Sequence, residues 1–291
     1  MDIAFHIGAN CTDEERLLKS LLRNADSFAE QGVVVPPPNR YRRLLRETIQ
    51  TLNGQPPAPD ARDILLDAIL EHQDGRRLVM SNPDFICVTN RIFENGGFYQ
   101  LVAEKLQGLR SLFPSDRIHL YMALRDPATF VPAVFTASKH ADFDQFMQGM
   151  ALEDIRWSDV CARILQAAPD MQLTVWCNED TPLIWAQLIR EVSGVDPMTR
   201  ISGGFDLLQE LLSPEGMKRF LSYIRSHPPA TEARKRKIIA TFLEKFAHDD
   251  VMYDEIAIPG WTEQMIDALS ANYDQDVARI AAMPGVRLIT V

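Results

Sequence analysis

The chain has 291 residues, 46% hydrophobic and 24% charged, enough to bury a substantial core in one or two domains. Its formal net charge of −10 argues against nonspecific binding to nucleic acid or to an anionic membrane, because both reward a basic face. Cys11, Cys87, Cys161 and Cys177 lie far apart, with no Cys-x-x-Cys pair and no metal-ligand spacing, so reduced thiols, no metal and a cytoplasmic location are expected. No apolar run is long enough to span a bilayer, and the first strand is expected from the second residue on, without a charged leader.

Ile3, Phe5 and Ile7 alternate as in a strand, Gly8 permits a sharp exit, and from Leu17 the apolar residues Leu18, Leu21, Leu22, Ala25, Phe28 and Ala29 follow a helical spacing. A strand, glycine turn and helix in this order aim backbone N–H groups and the positive helix end at one point, an arrangement suited to phosphate or sulfate. Here the sequence supplies its own negative charge at that point. Thr12 and Glu15 have the spacing of a capping box, with Thr12 accepting from the Glu15 amide and Glu15 reaching back to the Thr12 amide. Asp13 and Glu14 add charge that the helix dipole favours. A self-capped helix start and a ligand-binding turn are both open readings. Cys11 could be a nucleophile at a helix start, but its acidic neighbours raise a thiol pKa; His6 could serve as acid or base, or as a hydrogen-bonded structural histidine.

Farther along, Pro36-Pro37-Pro38 and Gln55-Pro56-Pro57-Ala58-Pro59 bracket a basic helical stretch, and residues 36–75 form a candidate lid. Within it Arg40, Arg42, Arg43 and Arg46 suit an anionic ligand or a solvated helix face with ion pairs. Arg77 to Met80 and Phe85 to Val88 are two short apolar runs divided by Ser81-Asn82-Pro83-Asp84. Ile118 to Leu124, Leu173 to Cys177 and Val286 to Val291 are strand-like; Phe98 to Leu112, Ile155 to Ala167, Leu183 to Val192 and Ile238 to Phe246 are helical. Alternating strands and helices predict a three-layer α/β domain, a mainly parallel sheet with helices on both faces, over residues 1–291. Residues 205–276 read as a mainly helical cap or subdomain.

Arg125 ends a strand ahead of Asp126-Pro127, at the sheet edge where α/β proteins bind ligands, and fits either a ligand contact or an acidic partner. Trp176-Cys177-Asn178-Glu179-Asp180 follows another strand, with Asp180 or Thr181 the expected cap before Pro182. Arg234-Lys235-Arg236-Lys237 opens a helix against its dipole; Asp13, Glu14 and Glu15 could hold Mg²⁺ with water but show no second ligand set, and His248-Asp249-Asp250 is a candidate of unassigned role.

His6-Ile7-Gly8-Ala9 before a helix, followed by Leu124-Arg125-Asp126-Pro127, resembles the bacterial sulfotransferase-like family of the P-loop fold. Trp176 to Asp180, Pro259-Gly260-Trp261 and Met283-Pro284-Gly285-Val286 are similar to segments of its carbohydrate-directed members, so the likeness covers most of the chain. It implies a donor, 3′-phosphoadenosine 5′-phosphosulfate, with its phosphosulfate on Gly8, Ala9, Asn10, Cys11 and Thr12 and its 3′-phosphate at Arg125. The loop departs from the family at Cys11, where a lysine is usual, and at Asp13, Glu14 and Glu15, where small or hydroxyl residues are. Ala133 stands where a serine is usual.

Two functions follow. One is a diverged member that has lost sulfuryl transfer and uses the cleft to bind a protein partner or another small ligand. The other is an active sulfotransferase for a carbohydrate or other hydroxyl acceptor, with Asp84 the one acid near the expected position of a general base. No catalytic residue is assigned.

Overall fold

A strand covered on both faces needs side chains that tolerate burial at nearly every position. In β1 (Asp2–Gly8) every residue except Asp2 is buried, the polar His6 included. In the computed structural model, which describes residues 1–248 and 261–291, this strand lies inside a six-stranded sheet. The other strands are β2 (Val33–Val34), β3 (Arg77–Ser81), β4 (Arg117–Leu124), β5 (Gln172–Cys177) and β6 (Val286–Ile289). Their order is β2-β3-β1-β4-β5-β6, and every ladder is parallel.

The helices are α1 (Arg16–Arg23), α2 (Ala25–Ala29), α3 (Arg42–Leu52), α4 (Ala61–Leu70), α5 (Val102–Leu112), α6 (Pro127–Ser138) and α7 (Phe143–Met147). There follow α8 (Trp157–Ala167), α9 (Thr181–Ser193), α10 (Asp206–Leu211), α11 (Pro214–Ser226), α12 (Glu232–Phe246) and α13 (Glu263–Ala281). Strand alternation sorts the sheet's side chains into two cores. Ala4, Val79, Tyr121, Ala123 and Trp176 meet Leu17 and Leu21 of α1 and Trp185, Leu188 and Ile189 of α9. Ile3, Phe5, Leu78, Met80, Leu120 and Met122 point the other way, into α3, α4, α5, α6, α8 and α13. The three layers of the α/β expectation are therefore present.

Residues 36–75 form the crossover from β2 to β3, and Tyr41, Leu45, Ile49, Leu65 and Ile69 are buried in the larger core. The described part of 205–276 is helical, and α10, α11 and α12 share a small core of Leu208, Leu212, Phe220 and Ile239.

Several boundaries differ from the sequence pattern. Phe85 to Val88 is not a strand: the chain turns at Asn82, whose amide donates to the His6 carbonyl at 2.8 Å, and Phe85, Ile86 and Cys87 are buried from a loop. The helix expected from Phe98 begins at Val102, because Tyr99 takes a φ of 52° and the Phe98 and Tyr99 carbonyls accept from Arg163 at 2.5 and 2.9 Å. The two-residue β2 gave no period-two signal.

Candidate functional site

The carboxyl ends of β1, β3, β4 and β5 open on one edge of the sheet. Connections leave β1 toward β3 and return on the side of β4, the reversal beside which α/β proteins hold ligands. His6 pairs with Tyr121 and Gly8 with Met122, so Ile7 is an extra residue that bends the strand into its loop. Gly8 is required there: its φ is +139°, and a Cβ would stand 3.1 Å from the Pro83 carbonyl oxygen.

The loop is closed by Asp13, which corrects the expected Thr12 and Glu15 capping box. The Asp13 carboxylate accepts from the amides of Glu15 and Leu17 at 3.3 and 3.1 Å, and its carbonyl accepts from Arg16 at 2.7 Å. Thr12 instead donates its hydroxyl to the Ala9 carbonyl at 2.8 Å. The reason is backbone conformation. Glu14 and Glu15 take φ values of 47° and 67°, so the chain coils once more and α1 starts at Arg16, too far along for Thr12 to reach. Asp13 is buried, its carboxylate occupied by the loop amides.

Three arginines surround this acidic turn. Arg42 reaches from the start of α3 to hold both carboxylate oxygens of Glu15 at 2.9 and 2.8 Å, and its Nε donates to the Ser81 carbonyl. Arg16 lies between Glu14 and Glu210 at 3.2 and 3.0 Å. Arg125 donates to the Cys11 carbonyl at 2.7 Å and to Thr129 Oγ1 at 3.0 Å, bracing the loop from the end of β4. Of the basic cluster, Arg42 is thus a member of the site, while Arg40 and Arg43 pair with Glu71 and Glu47.

Asn10 is fastened below the turn. Its side-chain amide donates to Asp84 at 2.6 Å and to the Cys87 carbonyl at 3.0 Å, its Oδ1 accepts from the Tyr99 hydroxyl, and its own amide donates to that hydroxyl oxygen. Asp84 stands exposed at the mouth, yet the water its carboxylate loses raises its pKa, with the Asn10 hydrogen bond opposing. Burial likewise raises the Cys11 thiol; Arg125 opposes, while Asp84 and Glu14 add to the rise. A neutral thiol is a poor nucleophile.

His6 is fully buried, with Nδ1 2.9 Å from Ser81 Oγ and Nε2 without a hydrogen-bond partner among the described residues. Burial lowers its pKa, and the nearby Asp13 carboxylate works against that. Ser81 also accepts the Tyr41 hydroxyl on its carbonyl at 2.8 Å, so it ties β3, β1 and α3 together.

At the next strand end, Glu179 accepts from the Asp126 amide at 2.9 Å and from the Tyr273 hydroxyl at 3.2 Å; burial raises its pKa. The expected cap of α9 is absent: Asp180 adopts helical angles and makes no capping hydrogen bond, because the Asn178 to Asp180 turn already leads into the helix. Asp126 is the cap of α6, accepting from Ala128 at 2.8 Å and from Ser270 at 2.5 Å. Ala133 lies half-buried within α6.

Gly8, Ala9, Asn10, Cys11, Thr12 and Arg125 therefore do converge, and Arg42, Ser81 and Tyr99 complete the setting. Tyr99 and Ser81 carried no motif; Arg42 was legible only as one of four arginines. A cavity of about 380 Å³ opens beside the loop between Thr12, Asp13, Arg16, Trp185, Leu207 and Glu210. Among the described residues no group of three His, Cys, Asp or Glu side chains is placed to hold a metal, and no helix is long and apolar enough to cross a membrane. Asp249, Asp250, Pro259 and Gly260, named in the sequence reading, lie outside the described residues. Comparison with family models, curated proteins and solved structures finds no match to this chain.

Proposed function

We propose that this chain is a diverged sulfotransferase-like protein that has lost standard sulfuryl transfer and works by binding, to a protein partner or to a ligand other than the sulfuryl donor. The observation that carries this reading is the Asp13 carboxylate on the amides of Glu15 and Leu17. A phosphate needs those donors, and a second negative charge about 5 Å away costs about 3 kcal/mol at an effective dielectric near 20. Arg42 and Arg125 do not offset it, since one is committed to Glu15 and the other to the Cys11 carbonyl. The glycine turn after a central parallel strand supports the resemblance itself.

The test is a titration with adenosine 3′,5′-bisphosphate, the desulfated donor product. The expected result is no saturable binding below about 100 μM, roughly −5.5 kcal/mol. Low-micromolar binding competed by 3′-phosphoadenosine 5′-phosphosulfate would overturn the proposal in favour of sulfuryl transfer to a hydroxyl acceptor.

A further inference from the structure

One face of α12 along nearly its whole length and the facing side of α11 form a groove that the loop and its neighbours do not use. It encloses about 640 Å³ and shares no lining residue with the cavity beside the loop. Tyr223, Phe242 and Phe246 make its floor, with ring centroids 5.9 and 5.7 Å apart in succession. Arg219, Arg234, Lys237 and Lys245 stand along its rims, and Arg219 lies 5.4 Å over the Phe246 ring.

The lining positions on α12 recur as 234, 237, 238, 241, 242, 245 and 246, one stripe over three helical turns. At 1.5 Å per residue the stripe runs about 18 Å, the length of a docked helix rather than of a compact metabolite. The hairpin also carries a small core of Phe220 and Ile239 with Leu208 and Leu212, against which Ile238, Phe242 and Phe246 pack with part of their surface.

Charge selects the occupant. The chain carries a formal net charge of −10, yet four cations line this groove. Arg219 pairs with Glu215 at 2.5 Å, and Glu232 is taken by Arg190 and Lys235. Among the described residues no ion pair reaches Arg234, Lys237 or Lys245, and Arg234, in the first turn of α12, opposes the helix dipole. An acidic partner relieves both conflicts. A flat anionic membrane does not fit a concave groove on a strongly acidic protein.

We propose that the α11–α12 groove docks an amphipathic helix of another protein, its apolar stripe on Tyr223, Phe242 and Phe246 and its acidic flanks on Arg234, Lys237 and Lys245. This site is independent of the loop and of the nucleotide titration.

The test uses the full chain and a fluorescein-labelled helical peptide of about five turns, with leucine at i, i+3, i+4 and i+7 and glutamate on both flanks. The control peptide carries lysine in place of glutamate. Saturable binding is expected for the glutamate peptide, at least about tenfold tighter than for the lysine peptide and weaker in high salt. The double variant Arg234→Glu, Lys237→Glu should lose at least about tenfold, with circular dichroism and melting temperature showing that it is folded. Tyr223→Ala separately tests the apolar floor and should weaken binding severalfold. Equal binding of the two peptides, no saturable binding, or undiminished binding by the folded double variant would overturn the proposal. Co-sedimentation with phosphatidylserine vesicles, lost in the same double variant, would overturn it in favour of a lipid surface.

Discussion

Glu15 and Arg42 meet fork to fork, two nearly parallel hydrogen bonds of 2.9 and 2.8 Å joining the start of α1 to the start of α3 across the mouth of the loop. The side chains are 39% and 26% exposed, so water screens the attraction. Glu15→Ala is expected to lower stability by no more than about 1 kcal/mol. Urea unfolding checks this, and a loss above about 3 kcal/mol would mean that the bridge behaves as a desolvated pair.

Asp13 and Thr12 should separate in the same measurement. Asp13→Ala removes the acceptor for two amides at the start of α1 and should cost about 0.5–2 kcal/mol. Thr12→Ala removes one hydroxyl bond to the Ala9 carbonyl, worth about 0.5–1.5 kcal/mol, and should cost no more than Asp13→Ala. A larger loss for Thr12→Ala would restore Thr12 as the main support of the turn.

Restoring phosphate chemistry to the loop tests how far the cleft has diverged. Combining Cys11→Lys and Asp13→Gly with Glu14→Thr and Glu15→Thr moves the loop about four charge units toward positive and frees Arg42. Affinity for adenosine 3′,5′-bisphosphate should rise at least tenfold, about 1.4 kcal/mol, with the gain shrinking in high salt. A folded variant that gains nothing would show that the rest of the edge, Arg125 included, no longer suits the nucleotide.

Acid stability should depend on His119, far from the loop. Burial pushes its pKa down to about 4, with Arg77 and Arg287 adding to the fall and Glu191 opposing. Its ordinary value is 6.5, so between pH 6.5 and 4 the unfolded chain binds the proton and the folded chain does not. The stability is full above pH 6.5 and is lost as pH falls toward 4, by up to roughly 3 kcal/mol. His119→Gln should flatten that part of the pH profile. His6, its pKa also lowered by burial, adds slope of the same sign, while Asp84, Glu179 and Asp180, raised by burial, add slope of the opposite sign. An unchanged profile would remove His119 as its source.

The layers of the fold were legible in hydrophobic period, because buried parallel strands and amphipathic helices write their faces directly into the sequence. Helix starts were less so. Tyr99 takes a left-handed conformation that delays α5 beyond its apolar pattern, and Glu14 and Glu15 take left-handed conformations that move the start of α1 past the expected Thr12 cap. The conflict of charge in the loop was also visible, but its resolution was not. Asp13 wins the amides because of backbone coiling, and Glu15 turns away because Arg42, distant in sequence, is there to receive it. Long-range pairs such as Asn10 with Tyr99 leave no local signal at all.

The position of β1 in the sheet also governs the order of assembly. Its residue Asp2 pairs with Arg77 on one side and Arg117 on the other, so the earliest of these six strands has no sheet neighbour until Arg77 has been made. Such distant pairings make loop closure costly and folding slow. During synthesis an uncovered, largely apolar β1 is open to wrong association, and the Asn10 and Arg42 contacts can lock only after β3 and α3 have arrived, whereas Asp13 closes its own local turn without them.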